Sequence, residues 1–511
     1  VRLVDYLDKG ASVDPEAPCL TTDGTSSSYA EVRELSFRIA AALVRAGVEP
    51  GDKVAILSAN DPVAFSCVFG ISRAGAVWCP INPRNEAAEN RELLDLFDCT
   101  VLIHQQSFTP LVGQIRDRLS KLTTVVCLDG VPAEGALSWE EFLGSSSADH
   151  VDADAVDDLA MIVGTGGTTG RPKGVMLTGT NLETMTAITL MSYPFEGRPV
   201  YLALAPLTHA AGVLCFPVLA KAGEIVVMRT PDVERFLGLV ETHGVTHTFL
   251  PPTLIYMLLD HPGLSVVDLS SLQCFWYGAA PMSTSRLEEA LTRIGPVMAQ
   301  LFGQTEAPMM VSALPPADHF LEDGSIAHDR LASAGRPTPL VTVAIMDEAG
   351  ELLPRGERGE IVVRSSLVMR GYYKNPEATA EASAYGWHHT GDIGFLDGDG
   401  FLFIVDRAKD MVITGGFNVY STEVEQALMQ HPDVADCAVV GLPDEKWGER
   451  VTAVVQLRPG REVAGTELAG FVKERIGSVK APKQVEVWPD LPRSKVGKVL
   501  KTDIKATLTK S

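Results

Sequence analysis

Met161-Ile-Val-Gly-Thr-Gly-Gly-Thr-Thr-Gly-Arg-Pro-Lys-Gly-Val-Met-Leu177 holds five glycines and three threonines between Gly164 and Gly174. Apolar runs of strand length stand on either side. Glycine permits positive φ and close backbone approach, and successive N–H groups can form a nest for an anion. Thr165, Thr168 and Thr169 add hydroxyl donors, and Lys173 adds a cation. So much glycine reads as serving a ligand, not packing, and the set suits the β- and γ-phosphates of a nucleotide. Arg171-Pro172 separates the lysine from the preceding glycine, which excludes a Walker A loop. Residue 169 is not glycine, which excludes a dinucleotide fingerprint.

Outward from this loop, helical and strand-like patterns alternate over most of the first 310 residues. Tyr29 to Ala46 reads as an amphipathic helix, with Leu35, Ile39, Leu43 and Val44 near one face. Val54–Leu57, Val101–Ile103, Thr124–Leu128, Glu224–Met228 and His247–Leu250 read as buried strands. This alternation predicts α/β layers around largely parallel sheets. From about residue 315 to 405 the runs shorten and turn chemistry lies between them, as in Asp397-Gly-Asp-Gly400. That predicts a small antiparallel β unit. An α+β pattern follows, with a helix from Ser421 to Met429 and Ser421 as its expected N-cap.

The 511 residues carry 43 Lys+Arg against 65 Asp+Glu, a formal net charge of −22. That balance argues against a nucleic-acid binder. The charge is uneven: Phe471 to Ser511 holds ten cations and four anions. This tail is either a solvated basic face or a surface that meets a polyanion. The eight cysteines form no C-x-x-C pair, and the N-terminus lacks the apolar run of a signal peptide. Both point to buried thiols in a reducing, cytoplasmic compartment. Pro199 to Ala220 is uncharged and long enough to cross a bilayer. Pro206, Pro217 and the central Thr208-His209 favour a buried core segment instead. His243 and His247 lack an H-E-x-x-H frame, so zinc is not expected.

Further segments occur in a recognisable order: PLTH (206–209), YGAAPM (277–282), FGQTE (302–306), HTGDIG (389–394), DRAKDMVITGGFNVY (406–420) and SKVGKVLK (494–501). With the Gly164 loop, these resemble the motifs of the adenylate-forming superfamily, of acyl-CoA synthetase or fatty-acid–CoA ligase type, over nearly the whole chain.

The resemblance implies a large N-terminal domain, 1–405, of two α/β subdomains plus a small β-barrel. It implies a hinge at 406–409 and a smaller mobile α+β domain, 410–511. Thr165, Thr168, Thr169 and Lys173 would cradle pyrophosphate. Gly278, Ala279 and Ala280 would pass beside adenine, with Phe302 replacing the usual tyrosine. Thr305 would contact the α-phosphate, and Glu306 would bind Mg²⁺. Asp392 and Arg407 would hold the ribose, and Lys409 would be the pivot. Gly415 and Gly416 would line the thiol channel. Lys498 would bridge the substrate carboxylate and the α-phosphate. His209, Val213, Tyr277 and Met309 would line an acyl pocket. No acid lies between Ala210 and Leu214 to take an ammonium, which disfavours an amino-acid substrate.

The implied reaction is ATP-dependent activation of a hydrophobic carboxylic acid, a fatty acid foremost, as acyl-AMP. Transfer to CoA with release of AMP and pyrophosphate would follow. Loading of a carrier-protein phosphopantetheine, or a non-catalytic acyl or nucleotide sensor, stays open. Peripheral membrane contact and a homodimer also stay open. Lys480, Lys483 and Lys495 are candidate contacts for the phosphates of CoA.

Overall fold

Val54 and Ile56 face one side of their strand, Ala55 and Leu57 face the other, and both sides are buried. A strand covered on both faces must be apolar where it is covered, which is why Val54–Leu57 of the strand Lys53–Leu57 reads as a continuous hydrophobic run. The computed structural model describes residues 1–144, 151–153, 158–165, 172–207, 210–407, 409–494 and 498–510.

Among these residues an eight-stranded sheet contains Lys53–Leu57, Val77–Ile81, Cys99–His104 and Thr124–Cys127 in parallel pairing. A nine-stranded sheet contains Val200–Ala203, Glu224–Val227, His247–Leu250 and Cys274–Tyr277, also parallel. The largest core cluster is shared by the two sheets. Val54 and Ile56 come from one; Tyr201, Phe249 and Trp276 come from the other. Smaller clusters cover the outer faces.

The expected helix is observed as Tyr29–Arg45. The Ser28 hydroxyl accepts from Glu31 N–H, and the Glu31 carboxylate accepts from Ser28 N–H, which closes its first turn. The uncharged stretch divides into the strand Val200–Ala203 and the 11-residue helix Ala210–Ala220, with Pro217 inside. No helix among the described residues is long and apolar enough to cross a membrane.

The antiparallel unit is a four-stranded sheet of Thr342–Met346, Gly359–Arg364, His388–Leu396 and Leu402–Arg407. It starts later than about 315, because Arg336–Pro337 still pairs into the nine-stranded sheet. Gly371–Tyr372 leaves this unit and pairs with Val175 and Met176 of the eight-stranded sheet. Asp397 closes the last hairpin: its carboxylate accepts from Asp399 N–H and Phe401 N–H, and Gly400 takes φ 81°.

The last unit packs the helix Ser421–Met429 and the helix Gly465–Ile476 on a sheet dominated by Val434–Asp444 and Gly448–Leu457. Ser421 is the first helical residue, not the N-cap; Tyr420 holds that place and makes no side-chain cap. The Ser421 hydroxyl is committed elsewhere, as set out below. Residues 410–470 carry ten anions and four cations, so this unit as a whole is neutral. Lys480 pairs with Glu423, Arg493 with Asp436, Lys501 with Glu425 and Lys505 with Glu449. The basic tail is therefore largely answered within its own unit.

Candidate active site

The strands Leu159–Thr165 and Lys173–Thr178 run antiparallel, with Thr165 opposite Lys173 and Gly164 opposite Gly174. This hairpin carries the glycine-rich loop. Thr168 and Thr169 lie outside the described residues, as does His209. Gly164 and Gly174 correct the expectation that the glycines serve no packing. A Cβ on Gly164 would stand 2.7 Å from Leu93, and one on Gly174 would stand 2.6 Å from Phe97. The helix Ala87–Leu96 and Phe97 just beyond it press directly on the loop's two ends.

Lys173 Nζ lies 4.8 Å from the centre of the Tyr372 ring, and the Tyr372 hydroxyl donates to Glu306 Oε1 at 2.9 Å. One tyrosine thus joins the loop lysine to the expected metal ligand. Burial beside Glu306 pushes its phenol above the ordinary range. Sequence reasoning missed Tyr372; its signal was Gly371-Tyr372 following an apolar run, which is weak without a partner 66 positions away.

Thr305 and Glu306 form the turn between Met298–Gln304 and Ala307–Leu314. Both are half-buried, and Glu306 O accepts from Met369 N–H at 2.7 Å. Glu306 keeps its second carboxylate oxygen uncommitted among the described residues. A half-buried carboxylate oxygen with a free lone pair is a donor of the hard type that Mg²⁺ takes, so these residues fit that ion.

Gly278 follows the strand Cys274–Tyr277 and lies so near Leu301 O that a Cβ would stand 2.5 Å away. Ala279 and Ala280 complete this turn, and Ala279 is exposed. Ala279 at φ 66° and Met309 at φ 63° both hold left-handed backbone, each costing roughly 1–3 kcal/mol. Both lie in segments expected to meet nucleotide or acid, while six other non-glycine residues with positive φ lie elsewhere among the described residues. Gly303 is required by the same hairpin, since a Cβ there would lie 2.4 Å from Met309 N.

Phe302 is half-buried and packs on the main core. Val213 and Met309 are buried members of that core. Tyr277 departs from its expected role as an acyl wall. Strand alternation sends Trp276 to the main core and Tyr277 to the opposite face, where its hydroxyl pairs with His319 Nε2 at 2.9 Å. His319 is buried there, which lowers its pKa to about 4 and keeps it neutral.

Asp392 and Arg407 are direct partners across the last hairpin, with Arg407 Nε 2.9 Å from Asp392 Oδ1. Asp392 is buried, and this pushes its carboxyl upward; Arg407 and Lys498 pull it back. Lys498 arrives from the other lobe. Desolvation and the nearby Arg407 lower its pKa, and Asp392 and Asp410 partly oppose them. Lys498 itself is solvent-exposed. Ser494 fixes this segment: Lys498 N–H donates to Ser494 Oγ at 3.0 Å, and Ser494 N–H donates to Lys498 O at 2.6 Å. Lys409 is exposed beside the junction.

Gly415 and Gly416 form a two-residue hairpin turn at φ 57° and 81°, a conformation that glycine meets without strain. Gly415 N–H donates to Trp447 O at 2.7 Å, and a Cβ on it would stand 3.0 Å from the indole. This turn packs on Trp447 of its own lobe. Lys480 is paired with Glu423, and the exposed Lys483 donates to Ser478 O. Lys495 lies outside the described residues.

Comparison with known proteins gives the family. The profile of the family described as AMP-binding enzyme matches residues 7–373, and that of its C-terminal domain matches residues 423–498. The medium/long-chain-fatty-acid–CoA ligase FadD8 of Mycobacterium tuberculosis is 38% identical over 475 residues, covering 90% of this chain and 82% of the relative. A feruloyl-CoA synthase of an Amycolatopsis species is 37% identical over 501 residues, covering 97% and 96%. Among solved structures, the amide bond synthetase McbA of Marinactinospora thermotolerans superposes with a TM-score of 0.90 at 31% identity, covering 99% of both chains.

Proposed function

The chain belongs to the AMP-binding enzyme family, the AMP-forming acid–thiol ligases, and from that premise we propose that it activates a hydrophobic carboxylic acid, a fatty acid foremost, and passes the acyl group to CoA. The observation that carries this reading is the Asp392–Arg407 pair, 2.9 Å apart at the end of the last hairpin, together with the Glu306–Tyr372 hydrogen bond beside Lys173.

A carboxylate is a poor acyl donor, so its oxygen must first attack the α-phosphate of ATP and expel pyrophosphate. Two anions approach, and the work is electrostatic. In this reading Lys498 lies between carboxylate and α-phosphate and offsets the charge that builds there. Lys173 and the Gly164 loop hold the leaving pyrophosphate. Asp392 accepts from the ribose hydroxyls and Arg407 supports it. Gly278, Ala279 and Ala280 leave room for adenine, and Thr305 donates to the α-phosphate. Mg²⁺, when bound, neutralises phosphate charge; Glu306 would hold it, and Tyr372 would fix the carboxylate that does so. No covalent protein nucleophile is needed.

A thiol then attacks the acyl carbonyl and AMP departs. That step wants a narrow channel without a lysine in it. Reorientation about Lys409 would withdraw Lys498 and present the Gly415-Gly416 turn. Val213 and Met309 offer an apolar boundary for the acid. The two curated relatives compared above are named for acids as different as a fatty acid and ferulate, and both acids are hydrophobic in body.

The test is pyrophosphate release with and without CoA over straight-chain, branched, cyclic and aromatic acids, with thioester identified by mass spectrometry. Release that depends on a hydrophobic acid, with thioester on adding CoA, is expected. Release without thioester, restored by a carrier-protein phosphopantetheine, would move the acceptor to a carrier protein. No acid-dependent release would leave the sensor reading in place.

A further inference from the structure

Asp406 is an acid at the inner end of the strand Leu402–Arg407, one residue before the ribose-facing Arg407 and three before Lys409. It is 4% exposed, and its carboxylate is directed across the lobe boundary. Asp406 Oδ2 accepts from Ser421 N–H at 2.5 Å, and Oδ1 accepts from the Ser421 hydroxyl at 3.0 Å. Ser421 opens the nine-residue helix Ser421–Met429, so its N–H is one of the donors that the helix itself cannot use. A carboxylate here satisfies that donor and complements the positive end of the helix.

The contact continues inward. Lys501 Nζ donates to Ser421 Oγ at 2.5 Å and pairs with Glu425 Oε1 at 2.8 Å. Glu425 Oε1 also accepts from Val439 N–H at 2.8 Å. Lys501 heads the helix Lys501–Lys510 and follows Lys498 by three residues. A chain of hydrogen bonds thus runs from the strand before the pivot to the segment that carries Lys498. Other bonds between the lobes either use neutral groups, such as Gln426 Nε2 to Met282 O at 3.0 Å and Ser285 Oγ to Met429 O at 3.3 Å, or involve arginines nearer the surface, as in Arg458 Nη1 to Asp260 Oδ1 at 3.5 Å and Arg493 Nη1 to Thr253 Oγ1 at 3.2 Å. Among the described residues, the Asp406 contact is a buried, charged bond between the lobes, and removing one partner of such a bond is costly.

We propose that Asp406 is the latch that holds the lobes in the orientation seen here, in which the Lys498 segment is tied through Lys501 and Ser421 to the strand that carries Arg407. In this role it is a positioning residue for the first half-reaction and has no part in the second. Asp406 precedes Lys409 and Ser421 follows it, so rotation at Lys409 must separate them. The inference rests on the two-orientation reading above.

The test uses Asp406→Asn and Ser421→Ala in the full chain, with one label on each lobe. All eight native cysteines are buried, so the exposed Glu34→Cys and Glu462→Cys can take spin labels selectively. For Asp406→Asn, adenylate formation is expected to fall about tenfold, the scale of one charged hydrogen bond. Thioester formation from supplied acyl-AMP is expected to stay within about twofold, and the label-to-label distance distribution to broaden away from the parent's. Ser421→Ala should move all three readouts the same way by a smaller factor, and it carries the test if Asp406→Asn does not fold. Equal loss of both half-reactions, or an unchanged distance distribution, would overturn the latch. A parent without acid-dependent pyrophosphate release would instead count against the enzymatic reading, and the distance measurement would still judge the latch.

Discussion

Tyr372 illustrates how one side chain can serve two charged neighbours. Its ring faces Lys173 and its hydroxyl holds Glu306. Tyr372→Phe keeps the ring and removes the hydrogen bond. It is expected to weaken binding of MgATP by about ten- to a hundredfold, from the roughly 1.5–3 kcal/mol of a hydrogen bond to a charged group. Calorimetric titration checks this, and unchanged affinity would leave Tyr372 a packing residue. Lys498 makes a second prediction. Its pKa is lowered, so it loses its proton at a less alkaline pH than a free lysine does. Adenylate formation should therefore decline on the alkaline side before the ordinary lysine range near 10.4. Thioester formation from supplied acyl-AMP should lack that limb, because Lys498 has left the site. A shared alkaline limb would contradict this.

At the scale of elements, the phosphate hairpin depends on the helix beneath it. Gly174→Ala would place a Cβ 2.6 Å from Phe97 and 2.9 Å from Ile162. Overpacking of this kind costs about 1–3 kcal/mol, readable as a lower denaturation midpoint. Asp98, just past the same helix, ties it to the segment after Gly371–Tyr372 through Lys374 and the Tyr373 hydroxyl, and also pairs with Lys121. Burial alone would raise its pKa, but these three partners outweigh it and lower the value to about 2. The folded value lies below the unfolded one, so the contribution is fully present above about pH 4. It is lost as pH falls towards 2. Asp98→Asn should lower stability at neutral pH, and the difference should narrow across that acid window; a constant difference would count against the ion pairs. The parallel strands, the main helices and the last hairpin were legible in the sequence because each is announced by its own period or turn residues. Tyr277 was misplaced because its motif says nothing of which sheet face it takes. Ser421 was misread as a cap because its partner, Asp406, lies on another element.

At the scale of the whole molecule, the two lobes differ electrically as well as in size. The tail's positive charge is balanced inside its own unit, so the −22 of the chain resides in residues 1–409. Asp392 and Arg407, expected to hold one ribose, are brought together by the last hairpin. The bonds that hold the lobes in one orientation were not legible, since Asp406, Ser421 and Lys501 are drawn from segments up to 95 positions apart. Two half-reactions at one site, with Lys498 needed for the first alone, is the central claim. It is tested most directly by measuring both half-reactions separately for Lys498→Ala. Acid-dependent adenylate formation should fall by several orders of magnitude while supplied acyl-AMP is still converted to thioester at near the parent's rate. Loss of both steps together, or retention of both, would contradict it.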